Sequence, residues 1–171
     1  MQLNGLIAAP HTPFHADHSL NTDAVAPLAA HLAANGVNGV FVAGTTGECQ
    51  SLTTGERGEL FQAWGEAARA NGLTFIAHVG HNCLLDGRTL AEAAQAAGAD
   101  AIGAMAPTFF KPADAADLVD WFSQLVAPVP GLPFYFYDIP PMTGVNIDTT
   151  ELVQRAAERI DGFVGVKYTN N

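Results

Sequence analysis

Residues 73–105 read LTFIAHVGHNCLLDGRTLAEAAQAAGADAIGAM, and they contain the unit that the rest of the chain repeats. An apolar segment of strand length, 73–79, is followed by residues 84–97, in which apolar side chains recur at helical spacing until Gly98. A second apolar segment, 101–105, comes soon after. Both segments are apolar along nearly their whole length, which is typical of strands buried on both faces of a sheet. The stretch therefore predicts a β-α-β unit with parallel strands.

The same alternation extends towards both ends of the chain. Asn-Gly pairs at 35–36 and 71–72 end two helical segments, and residues 21–23 offer N-capping side chains for the first helix. An alternation of this kind predicts an α/β fold in which helices cover a parallel sheet. The predicted strands are 6–9, 37–43, 73–79, 101–105, 132–137 and 163–168. Of the five predicted helices, two cover 24–34 and 84–97, one follows residues 51–56 and reaches about residue 70, one opens at Pro112 and Asp114 and ends before Pro128, and one is capped by Asp148 and reaches about residue 160.

Two architectures share this pattern, the doubly wound open sheet and the (β/α)8 barrel. No GxGxxG motif follows the first strand, which weakens the dinucleotide-binding version of the open sheet. Polar clusters follow at least four strands, at 45–48, 81–82, 108–112 and 138–143, as at the mouth of a barrel. A barrel needs eight strands and about 250 residues. We therefore expect residues 1–171 to form a single, incomplete barrel domain that contains about the first six β/α units.

Composition excludes several classes of partner. The chain has 17 acidic and 7 basic residues, a formal charge of −10, which argues against nucleic acid and anionic membranes. No apolar run approaches the roughly 20 residues that span a bilayer, and no segment resembles a secretion signal. The two cysteines form no CxxC pair. We expect a cytoplasmic location, and we expect Cys49 and Cys83 to be small buried residues.

The chain has only two lysines, and their surroundings differ. Lys111 precedes a proline in a predicted loop, where a solvated side chain is expected. Lys167 lies in the apolar strand GFVGVKY, where a charged ammonium is costly to bury. Burial favours a neutral amine, which can attack a carbonyl and form a Schiff base. The alternative is that Lys167 lies at the strand end and reaches water. Strand alternation places Thr169 on the same face.

Two further segments suggest binding or proton transfer. The sequence Gly44-Thr45-Thr46-Gly47-Glu48 follows a strand, so its amides and hydroxyls could hold a small carboxylate, although a capping turn uses the same residues. Glu48 is expected to orient this loop. Tyr137 ends the aromatic strand FYFY and is either a core residue or a proton relay near Lys167.

Histidines suggest a rival chemistry. His11, His15, His78 and His81 fall near the ends of the first and third strands, where a metal-dependent aldolase or hydrolase on a barrel would place ligands. The chain has no HExxH motif and no HxH after the first strand. A capping or hydrogen-bonding role is the favoured interpretation for each.

Three motifs in order, GTTGE after strand two, Tyr137-Asp138-Ile139-Pro140 after strand five and Gly165-Val166-Lys167 on strand six, resemble the dihydrodipicolinate synthase and N-acetylneuraminate lyase family of class I aldolases. The resemblance covers essentially the whole chain, and it implies a (β/α)8 barrel of roughly 300 residues. It also implies a Schiff base between Lys167 and pyruvate or the pyruvate half of the substrate.

The resemblance assigns further roles. Thr45, Thr46 and Gly47 would bind the pyruvate carboxylate, Tyr137 would relay protons, and Thr169 would contact the sugar side of a substrate. The covalent imine replaces any metal or organic cofactor. The implied substrates are pyruvate and a sugar acid, and members of the family are commonly homotetramers.

The chain departs from the family pattern in two places, one of which bears on the substrate and the other on proton transfer. Met142 occupies the place where synthases typically carry an arginine, which favours a lyase-like member. Residues 106–112 and 136–140 are most similar to sialic acid lyases, so the expected reaction is the cleavage of N-acetylneuraminate to N-acetylmannosamine and pyruvate. Phe109 and Phe110 stand where many members have a relay tyrosine, and neither ring can move a proton.

Other functions remain open at this stage: 4-hydroxy-tetrahydrodipicolinate synthase, a keto-deoxy sugar acid aldolase, a metal-dependent hydrolase, or an inactive truncated chain. We expect the isolated 171-residue chain to be unstable or inactive, because unpaired strand edges and an uncovered apolar interior promote aggregation.

Overall fold

A computed structural model describes residues 3–170 of the chain. These residues form two compact units, and one of the boundaries between them falls within a helix. The N-terminal unit comprises residues 3–78 and Ala93–Asp100, and the C-terminal unit comprises Val79–Glu92 and residues 101–170.

In chain order, the elements of the N-terminal unit are β1 Leu6–Ala8, α1 Val25–Ala34, β2 Val37–Val42, α2 Thr54–Asn71 and β3 Thr74–His78. Its three strands are parallel, and β2 pairs with both β1 and β3. Its deepest apolar side chains include Val40 on β2 and Trp64 on α2, both fully buried. Short 3-10 turns occupy Thr22–Ala24 and Cys49–Ser51.

Helix α2 begins and ends where its sequence supplies caps. The Thr53 hydroxyl accepts from the backbone N–H of Glu56, and the Glu56 carboxylate accepts from the backbone N–H of Thr53 at 2.8 Å, which forms a capping box. Gly72 ends the helix in a left-handed conformation with φ of 66°. These caps supply partners for backbone groups that the helix itself leaves unpaired.

The elements of the C-terminal unit are the first part of α3 Leu84–Ala96, β4 Ala101–Met105, α4 Ala115–Val126, β5 Phe134–Asp138, α5 Pro140–Thr143, α6 Thr149–Arg159 and β6 Phe163–Tyr168. Its strands are parallel, and β5 pairs with both β4 and β6. Asp114 and Asp148 cap the helices α4 and α6 by accepting a backbone N–H three residues later. Phe122 on α4 packs against Phe134 on β5, with ring centroids 5.1 Å apart.

The six predicted strands and five predicted helices are all present, and the strand ends differ from their predicted positions by at most two residues. The prediction of side-chain caps before α1 was wrong. A 3-10 turn at Thr22–Ala24 precedes α1 directly, so Ala24 is its N-cap and no side-chain hydrogen bond caps either element. The short helix α5 was not predicted, because its two prolines indicated only a rigid turn.

No helix in residues 3–170 is long and apolar enough to cross a membrane. Within each unit the strands are adjacent in sequence order. That order is common to a barrel and to either half of a doubly wound sheet, so it does not by itself decide between them.

Candidate active site

The loop Gly44–Gly47 follows β2 and is folded into a tight turn. The backbone N–H of Glu48 donates to the Thr45 carbonyl at 3.0 Å, and the N–H of Cys49 donates to the Gly44 carbonyl at 3.2 Å. The residues on either side, Ala43 and Glu48, both have left-handed backbones, with φ of 52° and 57°. Non-glycine residues adopt this conformation at a cost, so the surrounding structure must hold the loop in this shape.

Lack of space favours glycine at position 47. A Cβ atom there would lie 3.0 Å from the Ala43 Cα and 3.3 Å from the Pro10 carbonyl oxygen, both of which belong to the backbone. Thr45 is half-buried and Thr46 is exposed. The loop is followed by the 3-10 turn Cys49–Ser51 and not by a helix N-terminus. Any anion bound here would therefore be held by the hydroxyls and amides of the loop itself.

A buried polar network lies next to this loop. His78, at the end of β3, is fully buried, and its Nδ1 lies 2.9 Å from the Ala43 carbonyl oxygen. Arg57, on α2, is 1% exposed and donates through Nη2 to the carbonyl oxygen of His78. Burial lowers the pKa of Arg57 to about 10. Sequence interpretation missed Arg57, although its spacing from Leu60, Phe61 and Trp64 places it on the buried face of α2.

Lys167 and Tyr137 lie side by side in the C-terminal unit. They are partners in the register between β5 and β6, and Lys167 Nζ lies 3.7 Å from the centroid of the Tyr137 ring. Tyr137 is buried, with 4% of its surface exposed, and Lys167 is half-buried. A cation over an aromatic face at this distance is attracted by the ring. The same placement brings an amine and a phenol together, a pair that can supply a nucleophile and a proton relay.

Thr169 follows this pair and is anchored to the end of β5. Its backbone N–H and its hydroxyl both donate to the Asp138 carbonyl oxygen, at 2.9 Å and 2.7 Å. The buried Asp138 carboxylate accepts from the Thr149 hydroxyl at 2.7 Å. The Thr169 hydroxyl proton is therefore directed at the backbone, and its oxygen can still accept a hydrogen bond.

The residues singled out by sequence thus fall into two groups. Thr45, Thr46 and Gly47 share one loop of the N-terminal unit, and Tyr137, Lys167 and Thr169 occupy adjacent strand ends of the C-terminal unit.

The histidines have different surroundings. His78 and His81 make hydrogen bonds as predicted, and His81 Nδ1 accepts from the backbone N–H of Cys83 at 3.0 Å. His11 and His15 are exposed. Among residues 3–170, no three His, Cys, Asp or Glu side chains are grouped closely enough to hold a metal ion.

One cysteine prediction was confirmed and the other was wrong. Cys49 is buried, whereas Cys83 is exposed because it lies in the turn before α3. Burial raises the pKa of the Cys49 thiol, and the nearby charge of Arg57 partly opposes this increase.

The loop after β4 presents aromatic side chains at the surface. Asn82 Oδ1 accepts from the backbone N–H groups of Thr108 and Phe109, at 2.7 Å and 3.1 Å. Phe109 and Phe110 are 78% and 86% exposed, and their rings meet edge to face. Lys111 is exposed, as predicted, and Met142 on α5 is exposed as well.

Comparison with known proteins places these observations in a family. Residues 2–171 match the dihydrodipicolinate synthetase family. The N-acetylneuraminate lyase of Xenopus tropicalis is 39% identical over 170 residues, which are 99% of this chain and 56% of that protein. The N-acetylneuraminate lyase of Homo sapiens is 35% identical, over 99% of this chain and 53% of that protein. The chain therefore spans little more than half the length of these relatives.

Solved structures agree with the sequence comparison. Proteus mirabilis N-acetylneuraminate lyase matches with a TM-score of 0.95 at 37% identity, over 99% of this chain and 57% of the other. A dihydrodipicolinate synthase from Cyanidioschyzon merolae with lysine bound matches with a TM-score of 0.90 at 30% identity, over 97% and 55%. These neighbours are (β/α)8 barrels, which confirms the predicted fold class as a partial barrel. The resemblance found in the three sequence motifs is confirmed as well, and the chain belongs to the dihydrodipicolinate synthetase family.

Proposed function

We propose that this protein is a class I aldolase that cleaves N-acetylneuraminate into N-acetylmannosamine and pyruvate through a Schiff base on Lys167. The observation that carries the proposal is the position of Lys167 Nζ, 3.7 Å from the centroid of the buried Tyr137 ring. The named relatives at 35% to 39% identity are N-acetylneuraminate lyases, which supports this substrate.

In the proposed first step, the neutral Lys167 amine attacks the keto carbon of the open-chain sugar acid. The Tyr137 phenol gives up its proton so that the former carbonyl oxygen leaves as water, and a protonated imine remains on Nζ beside the Tyr137 phenolate. The Thr45 and Thr46 hydroxyls and loop amides, including that of Gly47, hold the adjacent carboxylate. The positive imine is an electron sink, so this chemistry requires no metal and no organic cofactor.

In the proposed second step, the bond between the third and fourth carbons of the substrate breaks. Tyr137, as a phenolate, accepts the proton of the hydroxyl on the fourth carbon, and the bonding electrons move into the imine to form an enamine. N-acetylmannosamine leaves as the free aldehyde. Protonation of the enamine and hydrolysis of the imine then release pyruvate and restore Lys167. Thr169 is proposed to accept a hydrogen bond from the sugar part.

Borohydride trapping with pyruvate tests the proposal. Reduction of the imine converts it to a stable amine, so peptide mapping reports which nitrogen carries the adduct. Because Lys111 and Lys167 are the only lysines, Lys111→Arg is the matched control for Lys167→Arg. We expect an adduct on Lys167 in the wild type and in K111R, and its loss in K167R. An adduct that persists in K167R would contradict the assignment.

Product analysis separates the proposed reaction from its relatives. The position of Met142, where synthases of the family typically carry an arginine, favours the lyase. A trapped protein that releases no N-acetylmannosamine from N-acetylneuraminate would favour a synthase or a keto-deoxy sugar acid aldolase. Activity lost on treatment with a chelator would instead favour the metal-dependent hydrolase.

The remaining expectations belong to the same proposal. We propose a single incomplete barrel domain over residues 1–171, a homotetrameric assembly and a cytoplasmic location, all from the family resemblance and the composition. A folded, soluble chain that fails to bind pyruvate would favour an inactive truncated protein.

A further inference from the structure

We propose that His78 is a positioning residue for the loop Gly44–Gly47, and that Arg57 fixes His78 while Thr12 fixes the opposite end of the loop. This inference rests on the proposed function, because that function assigns the pyruvate carboxylate to the loop. None of these three side chains is itself assigned a contact with substrate.

The bond from His78 to Ala43 has a defined direction. A carbonyl oxygen can only accept, so the 2.9 Å contact between His78 Nδ1 and the Ala43 carbonyl requires the proton to lie on Nδ1. His78 is fully buried, so bulk water is not available to replace this donor. The ring therefore fixes the residue at which β2 turns into the loop.

Arg57 explains why the ring is held in this orientation. Its Nη2 donates to the backbone carbonyl of His78, and the same nitrogen lies 3.4 Å from His78 Nδ1. Arginine is a donor only, so a protonated Nδ1 cannot accept from it and must direct its proton elsewhere, to Ala43. Burying a guanidinium is costly, which makes a purely space-filling role for Arg57 a poor explanation.

The other end of the loop has its own anchor. The Thr12 hydroxyl, 6% exposed, donates to the Gly47 carbonyl at 2.7 Å. The carbonyls of Ala43 and Gly47, which lie before and after Thr45 and Thr46 in the chain, thus both accept from buried side chains outside the loop. Ala43 is held with a φ of 52°, a conformation that an unrestrained alanine rarely adopts.

The expected consequence concerns binding and not the chemical step. Pre-ordered amides and hydroxyls bind a carboxylate without first losing conformational freedom. If the loop loosens, the half-saturating concentration of pyruvate rises, while the rate of imine formation at saturation depends on Lys167 and changes little.

The test compares His78→Leu with His78→Asn. Leucine removes the donor, whereas the asparagine amide can still donate from a position close to that of Nδ1. His31→Leu, at an exposed position in the last turn of α1, is the matched control. Two readouts are used: hydrogen exchange of the peptide that contains Gly44–Gly47, and the pyruvate dependence of borohydride trapping in the same preparation of the protein.

In H78L we expect faster exchange in that peptide and a roughly tenfold higher half-saturating concentration, as when one buried acceptor loses its donor. The limiting trapping rate should change by less than about twofold. H78N and H31L should remain close to the wild type. Thr12→Val, which preserves side-chain volume, should act in the same direction as H78L and provides the test if H78L does not fold.

Two outcomes overturn the proposal. One is unchanged exchange in H78L and T12V, and the other is an H78N variant as impaired as H78L, which would show that the shape of the ring matters and its N–H does not. If the wild type traps no pyruvate, the proposed function fails, and hydrogen exchange alone then decides whether His78 positions the loop.

Discussion

At the residue scale, the two cysteines have opposite environments. Cys49 is 4% exposed, and burial raises the pKa of its thiol, so the thiolate is disfavoured at neutral pH. Cys83 is exposed in the turn before α3, where its backbone N–H is bonded to His81. The thiolate is the reactive form of cysteine, so burial and the raised pKa both disfavour reaction at Cys49, whereas Cys83 is accessible to reagents.

We predict that a maleimide reagent labels Cys83 in the native protein and leaves Cys49 unlabelled until the chain unfolds. Peptide mapping after labelling at neutral pH, with and without denaturant, measures this difference. Cys83→Ser is the control and should abolish native labelling. Rapid native labelling of Cys49 would contradict the buried position of its thiol.

How far individual residues could be predicted depended on whether their chemistry breaks the local pattern. Lys167 was found because a lysine is unusual in an apolar strand, and strand pairing then placed Tyr137 beside it. Arg57 was missed because a charged residue in a helix is normally solvated. Its partner, the carbonyl of His78, is 21 residues away, and only the folded chain brings them together.

At the element scale, helix α2 contains glycines with different surroundings. A Cβ atom on Gly65 would lie 2.0 Å from the Ala97 carbonyl oxygen, so the absence of a side chain allows the backbone that follows α3 to approach. A Cβ on Gly58 would meet nothing within 4 Å. Glycine disfavours a helix interior in both cases, but only Gly65 is required for packing.

We predict opposite effects of the same substitution at these two positions. Gly58→Ala should stabilise the fold by about 0.5–1 kcal/mol, because alanine loses less conformational entropy in a helix. Gly65→Ala should destabilise it by roughly 1–3 kcal/mol or more, because backbone atoms must move apart. Urea unfolding of both variants measures the difference, and a G65A variant as stable as the wild type would contradict the close contact with Ala97.

Sequence periodicity predicted the long elements because their burial patterns repeat over many residues. It missed α5, where four residues are too few to show a period. It also overestimated the capping side chains at 21–23, because the chain enters α1 through a 3-10 turn that bonds through its own backbone. Local capping signals identify a boundary, but they do not determine which hydrogen bond forms there.

At the scale of the whole molecule, apolar side chains remain exposed on the outer strands. Leu6 on β1 is 61% exposed, and Val164 and Tyr168 on β6 are 37% and 61% exposed. Within its unit, each of these two strands pairs only with the middle strand. An exposed apolar strand edge is a template for pairing with other chains.

We predict that the isolated 171-residue chain self-associates and that Val164→Lys reduces this association, because an edge charge disfavours strand pairing. Sedimentation velocity over a range of concentrations provides the measurement. Leu85→Lys is the control, since Leu85 is 68% exposed but lies on a helix, and it should have a smaller effect. A monomeric chain with a sharp cooperative melt would contradict the expected instability.

The architecture could be predicted as a class but not decided from strand order within each unit. Both candidate architectures place β1, β2 and β3 in sequence, and both do the same for β4, β5 and β6. The polar clusters after the strands favoured the barrel. Similarity to solved barrels over 99% of the chain confirmed it.

The left-handed backbone at Ala43 has a consequence for protein engineering. A glycine there would relieve a conformational cost of roughly 1–2 kcal/mol, so a screen for heat resistance alone would favour Ala43→Gly. The same exchange would give the chain more freedom next to Gly44, in the segment proposed to receive the substrate carboxylate. Thermostability and affinity for the carboxylate would then be optimised by different residues at one position, and a screen that scored only melting temperature would select against substrate binding.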